Sequence, residues 1–243
     1  MTGRLSGKIA LVTGASRGIG YALSLALARE GAHVVAVART VGGLEELDDE
    51  IVAAGGSATL VPADITDYPA IDRLGEAIFE RWKHLDILIG NAGVLDQLSP
   101  LGHIKPKVWD EAVAVNLTAN WRLIRSLDPL LRQSPAARAV FVTTGATTKL
   151  PAYWGAYSAT KAALEALVKT YAAEISKTEI RANLLNPGPT RTAMRAKAFP
   201  GEDPTTLPTA EEVATAALPL CLPSCTSNGA TYTFSRGKIT QSP

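Results

Sequence analysis

The sequence predicts an α/β protein, a single domain built on a doubly wound parallel sheet of seven strands with helices on both faces. Three observations carry this. Short, nearly continuous apolar runs alternate with longer helical patterns along the chain. Strands of that kind are buried on both faces, as in a parallel sheet covered by helices. A glycine-rich turn, Gly14 to Gly20, directly follows the first apolar run. The length of 243 residues suits one large core better than two small ones.

The first strand is read over 8–12. The helix after the turn carries Ile19, Leu23 and Leu27 at i, i+4 spacing and ends at Gly31, where a left-handed cap suits glycine. A second strand over 33–38 precedes a helix near 42–54, closed by Gly55-Gly56. A third strand near 58–61, a helix over 69–84 and a fourth strand over 86–89 come next. A long helix near 107–132 leads to a strand over 139–142, and a helix over 157–176 leads to a strand over 180–185. Right-handed crossovers between parallel strands then wind the sheet in both directions. The segment 187–210 breaks the rhythm with Pro187, Pro189, Pro200, Pro204 and Pro208, and 189–208 is expected to form a substrate lid. A helix near 209–218 and a strand over 230–234 close a unit spanning 1–243.

Hydrophobic residues make up 47% of the chain and charged residues 19%, which excludes a mainly disordered protein. The formal net charge of +1 gives no reason to expect nucleic acid or an anionic membrane as partner. No apolar run approaches the ~20 residues of a membrane span, and the start shows no signal-peptide core. A cytoplasmic location is expected. Cys221 and Cys225 are too few for a disulfide framework and lack the further ligands a zinc site needs. His33, His84 and His103 are scattered singly.

Thr13-Gly14-Ala15-Ser16-Arg17-Gly18-Ile19-Gly20 joins a strand to a helix. Glycines there let the backbone approach a diphosphate, and the helix start offers free N–H groups to it. The alternative is an ordinary strand–helix turn. A site for NAD usually carries an acidic residue about 20 residues further on, for the ribose 2′-hydroxyl. Here that stretch reads Ala38-Arg39-Thr40, and Arg17 lies in the turn itself. Guanidinium groups suit a 2′-phosphate, so NADP(H) is expected over NAD(H).

Tyr157 and Lys161 stand at i, i+4 on one helix, hence on one face. A phenol with an ordinary pKa of ~10 needs help to exchange a proton at neutral pH. A nearby ammonium, an oxidised nicotinamide and a helix N-terminus all lower that pKa.

With Asn91-Ala92-Gly93, Asn116 and Pro187-Gly188 added in order, the sequence resembles the short-chain dehydrogenase/reductase family over essentially its whole length. The resemblance implies a Rossmann fold with strand order 3-2-1-4-5-6-7 and hydride transfer between NAD(P) and a carbonyl/alcohol pair. It implies that Tyr157 gives the proton to the carbonyl oxygen and that Lys161 holds the nicotinamide ribose and lowers the Tyr157 pKa. Asn116 would kink the long helix and hold a relay water. Asn91, Ala92 and Gly93 would lie beside the adenine ribose, Asp64 by the adenine, and Thr190 and Thr192 by the carboxamide and diphosphate. Homo-oligomerisation, as a homodimer or homotetramer through helices 107–132 and 157–176, is implied too.

The sequence departs from the family pattern where a catalytic serine usually stands: position 144 is threonine. Its hydroxyl keeps the needed donor and acceptor, but β-branching restricts its direction. Thr144 is expected to do the serine's work, with Thr143 facing the other side of the strand. The C-terminal Ser235-Arg236-Gly237 also departs from the usual ending. Trp154, Leu95, Gln97 and Met194 are candidates for a partly apolar substrate pocket. The expected activity is NADP(H)-dependent carbonyl reduction or alcohol oxidation. The rivals are a non-catalytic NADP(H)-binding sensor and a dehydratase or epimerase.

Overall fold

Residues 3–242 are described by the computed structural model; Met1, Thr2 and Pro243, which the single-unit reading includes, lie outside the described residues. β1 (Ile9–Thr13) lies in the interior of the sheet, and every one of its side chains is buried. Alternation along it feeds two separate cores. Ala10 and Val12 face α1 (Gly18–Arg29), α2 (Val41–Ala53) and α9 (Ala210–Ala217), where they meet Leu23, Leu44 and Val213. Ile9 and Leu11 face the opposite layer, formed by α3 (Tyr68–Trp82), α5 (Ala119–Leu131) and α7 (Gly155–Glu174), with Ile71, Leu127 and Leu164.

The sheet order is β3-β2-β1-β4-β5-β6-β7-β8. The strands are β2 (His33–Ala38), β3 (Ser57–Pro62), β4 (Ile87–Gly90), β5 (Arg138–Val142), β6 (Arg181–Asn186), β7 (Thr231–Ser235) and β8 (Lys238–Gln241). β1 to β7 pair in parallel, in the order expected. The expected count of seven is corrected to eight. β8 turns back antiparallel on β7 through Arg236 and Gly237, both at positive φ, with Ser235 opposite Lys238. A two-residue turn of that handedness matches the twist of a hairpin. β8 has only Ile239 as an apolar residue, so it lacks the apolar run of interior strands such as β1 and β4.

The helix expected over 107–132 is interrupted. α4 (Pro106–Val113) passes into a π-helical turn, Ala114–Thr118, before α5 begins. Asn116 is fully buried in that turn. The expected loop over 187–210 contains α8 (Ala193–Ala198) and a 3-10 turn, Pro204–Thr206. The remaining short helix is α6 (Ala146–Lys149).

At the N-terminal ends of the strands, the buried Asp86 carboxylate accepts from the Ile9 amide at 3.0 Å, Lys8 Nζ at 3.0 Å and Ser134 Oγ at 2.6 Å. His84 Nε2 lies 3.1 Å from the same carboxylate. Burial pushes the Asp86 carboxyl up, but these partners outweigh it and hold it below the usual carboxylate range. Among the described residues no helix is long and apolar enough to cross a membrane.

Candidate active site

The opposite, C-terminal ends of β1, β2, β4 and β5 gather the predicted site residues, as expected for an open α/β sheet. The glycine turn is knitted to the end of β4. Asn91 Nδ2 donates to the carbonyls of Thr13 at 2.9 Å and Gly14 at 3.3 Å. Thr13 Oγ1 accepts from the amides of Asn91 and Ala92, each at 3.1 Å. This leaves no room for side chains. A Cβ at Gly20 would collide with the Gly14 carbonyl and Asn91 Nδ2. Gly14 itself sits at φ +66, with Ala92 Cα 3.0 Å from where a Cβ would lie.

Arg17 precedes α1 in extended conformation, and no side chain caps the helix start. The first amides of α1, from Gly18, Ile19 and Gly20, therefore carry no side-chain partner of that kind. A cavity of ≈ 370 Å³ opens here, lined by Gly18, Tyr21, Arg191, Thr192, Thr209 and Glu211. The arrangement is a cradle for an anionic group. Ser16 is pressed between the turn and Gly43, where a Cβ would lie 2.7 Å from the Ser16 carbonyl. Sequence reasoning passed over Gly43; its place at the start of the second helix was the available signal.

The Ala15 amide donates to the Val37 carbonyl at 3.2 Å, which sets the turn beside the end of β2. Arg39 follows directly, its side chain 3.6 Å from Asp64 and largely exposed. Asp64 also accepts from the Thr66 amide at 2.9 Å and hydroxyl at 2.8 Å. Burial raises the Asp64 pKa, but Thr66 and Arg39 outweigh it and hold the carboxyl low. Arg17 is exposed on the turn.

The second cluster forms around the start of α7. Asn116 Oδ1 accepts from the Val94 amide at 2.8 Å, and its Nδ2 donates to the Val94 carbonyl at 3.0 Å and to Thr160 Oγ1 at 3.1 Å. The π turn thus brings Asn116 to the loop after β4. Gly93 lies against both Asn116 and Lys161; a Cβ there would be 3.2 Å from Asn116 Oδ1 and 3.4 Å from Lys161 Nζ. Lys161 is buried and donates from Nζ to the Val142 carbonyl, at the end of β5, at 2.8 Å. Burial pushes its ammonium down to about 8, while the Glu165 carboxylate opposes that.

Tyr157 differs from the expectation of a lowered pKa. Burial pushes its phenol up to about 12, and the Thr144 side chain, within hydrogen-bonding influence of it, pulls the other way. The Lys161 ammonium is engaged with a carbonyl and does not offset the burial. Thr144 Oγ1 also accepts from the Ala146 amide at 3.2 Å. Thr143 faces the other way, as expected, and donates to Glu165 at 2.6 Å. Thr147 adds a second hydroxyl on Glu165 at 2.9 Å. Glu165 was missed in the sequence, although its spacing of four from Lys161 is visible there.

Residues after β6 reach both clusters, Thr192 at Gly18 and Phe199 at Trp154. Pro187 and Gly188 directly follow β6, Gly188 at φ +65. Thr190 is buried with its hydroxyl 3.1 Å from the Pro187 carbonyl. Thr192 caps α8 by accepting from the Arg195 amide at 3.2 Å, and its methyl stands over Gly18. Trp154, a candidate pocket residue, packs edge-on against Tyr157. Leu95 is part-buried, whereas Gln97, Met194 and His103 are exposed. Phe199, Arg195 and Glu202 also reach this region and were not anticipated. A proline-rich segment with an isolated phenylalanine was the only signal. Among the described residues no group of three or more His, Cys, Asp or Glu could hold a metal.

The family model described as short chain dehydrogenase matches residues 8–203. An uncharacterized oxidoreductase of Escherichia coli, YciK, is 36% identical over 212 residues, 86% of this chain and 84% of that protein. A short chain dehydrogenase from Pseudomonas syringae superposes with a TM-score of 0.92 at 35% identity, covering 96% of each chain. One from Shigella flexneri, crystallised with NADP, gives a TM-score of 0.88 at 34% identity, covering 96% of this chain and 99% of the other.

Proposed function

The chain belongs to the short-chain dehydrogenase family, and from that premise we propose that it is an NADP(H)-dependent oxidoreductase acting on a carbonyl/alcohol pair. One observation carries the reading: Lys161 and Asn116 are fixed by hydrogen bonds to the Val142 and Val94 backbones, beside the start of α7 that carries Tyr157. The side-chain-free cradle at Gly14, Gly18 and Gly20 fits a dinucleotide diphosphate, and Arg39 at the end of β2 fits a 2′-phosphate. Asn91, Ala92 and Gly93 would hold the ribose side, Asp64 the adenine side, and Pro187, Gly188, Thr190 and Thr192 the nicotinamide side, with Ser16, Arg17 and Ile19 completing the turn.

The bound dinucleotide supplies the hydride in reduction and accepts it in oxidation. Tyr157, held protonated with its pKa near 12, gives its phenolic proton to the substrate oxygen in reduction. Thr144 orients that oxygen through its hydroxyl. Lys161 places a positive charge behind the phenol, which stabilises the phenolate left when the proton is given up and so eases its transfer to the substrate oxygen. Asn116 fixes the loop carrying Gly93 against Lys161. The lid at 189–208 excludes water from the reacting atoms.

The single unit is expected to assemble as a homodimer or homotetramer through α4, α5 and α7, where Trp109 and Trp121 remain 41% and 43% exposed. The test of function is loss of NADPH absorbance across aldehydes, ketones and quinones, with Tyr157→Phe as control. Turnover that Tyr157→Phe abolishes is expected. NADPH binding without turnover on any carbonyl would instead favour a cofactor-sensing protein, and product formed without net NADPH loss would favour a dehydratase or epimerase.

A further inference from the structure

Resting on that reading, we propose that the substrate is an uncharged carbonyl compound whose carbonyl is attached to a planar aromatic ring, seated along a row of aromatic side chains between Tyr157 and the lid. The row starts at the reacting phenol. Trp154 meets Tyr157 edge-on, with ring centroids 5.8 Å apart and planes at 65°. Phe199 of the lid lies 5.8 Å beyond Trp154, its plane at 35°. The Arg195 guanidinium lies over a face of the Phe199 ring, 3.7 Å from its centroid. Glu202 grips that guanidinium with two bonds of 2.6 Å. Trp154 is part-exposed and Phe199 keeps 36% of its surface open, so both offer ring area beside the phenol. Aromatic surfaces favour flat π partners over saturated rings of the same size.

The charges of the lid argue for neutrality. Its three cations are Arg191, Arg195 and Lys197. Arg191 donates to the lid's own carbonyls, Pro204 at 2.7 Å and Leu207 at 3.2 Å. Arg195 is held by Glu202, and Lys197 by Asp96 at 3.2 Å. The remaining lid acid, Asp203, accepts from the Thr205 amide at 2.8 Å. Glu202 stays ionised, because its hydrogen bonds from Arg195 lower its pKa. A carboxylate or phosphate on the substrate would have to draw Arg195 or Lys197 away from its acid partner, and would meet Glu202 beside the row.

The test compares benzaldehyde, cyclohexanecarbaldehyde and 4-carboxybenzaldehyde as substrates with NADPH, and binding of 4-nitrobenzaldehyde to the NADP⁺-saturated protein. In that complex the aldehyde cannot be reduced, and quenching of indole fluorescence reports its arrival. Benzaldehyde is expected to exceed the saturated aldehyde in kcat/KM by roughly 3- to 10-fold, and to exceed the carboxylated one by more. Trp154→Ala should remove the quenching, and both it and Phe199→Leu should collapse the aromatic-to-saturated ratio towards one. Quenching lost in Trp154→Ala, but with no turnover of any aldehyde, supports the aromatic seat and overturns only the redox reading. Turnover with equal or reversed preference, or with 4-carboxybenzaldehyde preferred, overturns the substrate assignment and leaves the redox reading standing. Absence of both quenching and aromatic preference overturns the assignment as well.

Discussion

Neutralising Glu165 should lower the pH at which Lys161 loses its charge. Lys161 is buried, with its ammonium on the Val142 carbonyl, and burial has already brought its pKa down to about 8. The Glu165 carboxylate, one helical turn away and clamped by Thr143 and Thr147, resists that fall. Over about 6 Å at an effective dielectric of about 20, a unit charge contributes about 3 kcal/mol, or about two pKa units. Glu165 is only partly buried, and solvent together with two hydroxyl donors screens it, so roughly one unit is expected. Glu165→Gln keeps the shape and a hydroxyl acceptor but removes the charge. With the pKa moved from about 8 to about 7, the charged fraction at pH 8 falls from about one half to about one tenth. The assay is kcat/KM for NADPH-dependent reduction against pH. The limb set by Lys161 should move roughly one unit towards acid, while Glu165→Asp should leave it near its original place. Stability gives an independent check. Because the folded pKa of Lys161 lies below its ordinary value of 10.5, the unfolded chain binds more protons between the two, and stability rises with pH from about 8 to 10.5. In Glu165→Gln that rise should begin about one unit lower. A pH profile superimposable on the parent, in a variant that folds normally, would refute the electrostatic role.

Four further outcomes follow from the same geometry. Thr144→Ala should lower kcat by ~10²-fold or more while Thr144→Ser stays close to the parent, and an unchanged kcat in the alanine variant would place carbonyl orientation elsewhere. Arg39→Asp should raise KM for NADPH far more than KM for NADH, reversing the preference; equal effects on both would argue against 2′-phosphate recognition. Gly20→Ala forces a Cβ into the Gly14 carbonyl, so a destabilisation of about 1–3 kcal/mol and loss of NADPH fluorescence enhancement are expected in denaturation and binding titrations. Asp86→Asn strips a buried carboxylate from Lys8, His84, Ser134 and the Ile9 amide, and urea unfolding should show a loss of about 3–5 kcal/mol. In the parent, whose folded Asp86 pKa is depressed, that contribution is present above the ordinary carboxylate pKa and is lost as pH falls through the folded value.

The glycine turn was legible because its constraint is steric and local: Gly14 and Gly20 leave no space for a Cβ whatever else the chain does. β1, β2, β4 and β5 were legible because doubly buried strands are largely apolar, whereas β3 and β7 are only part-buried and were read from their place between helical patterns and turns. β8 was not, since a four-residue edge strand with one apolar side chain looks like any polar tail. The i, i+4 pairing of Tyr157 with Lys161 was visible, but the sign of the Tyr157 shift depends on burial, which spacing does not encode. The inner order of the proline-rich segment after β6 escaped for a similar reason. Arg195 and Glu202 are seven residues apart across a broken helix, so only the fold brings guanidinium and carboxylate together. The π turn was foreshadowed by Asn116 alone.

That turn also bears on how chain length maps onto shape. A π turn holds one residue more than an α turn, and each residue rotates an α-helix by about 100°. The extra residue therefore changes the angular phase between α4 and α5 without adding a loop. Upstream of it the helix presents one side to the sheet layer; downstream, Leu123 and Leu127 enter the core on a different setting. In between, Asn116 points at Val94. Deleting one residue from 114–118 would restore a regular helix but could not keep both Asn116 and Leu123 in place. The interval from Asn116 to Leu123 is thus a measure of helix phase, and a one-residue change within 114–118 would act on the site as a rotation.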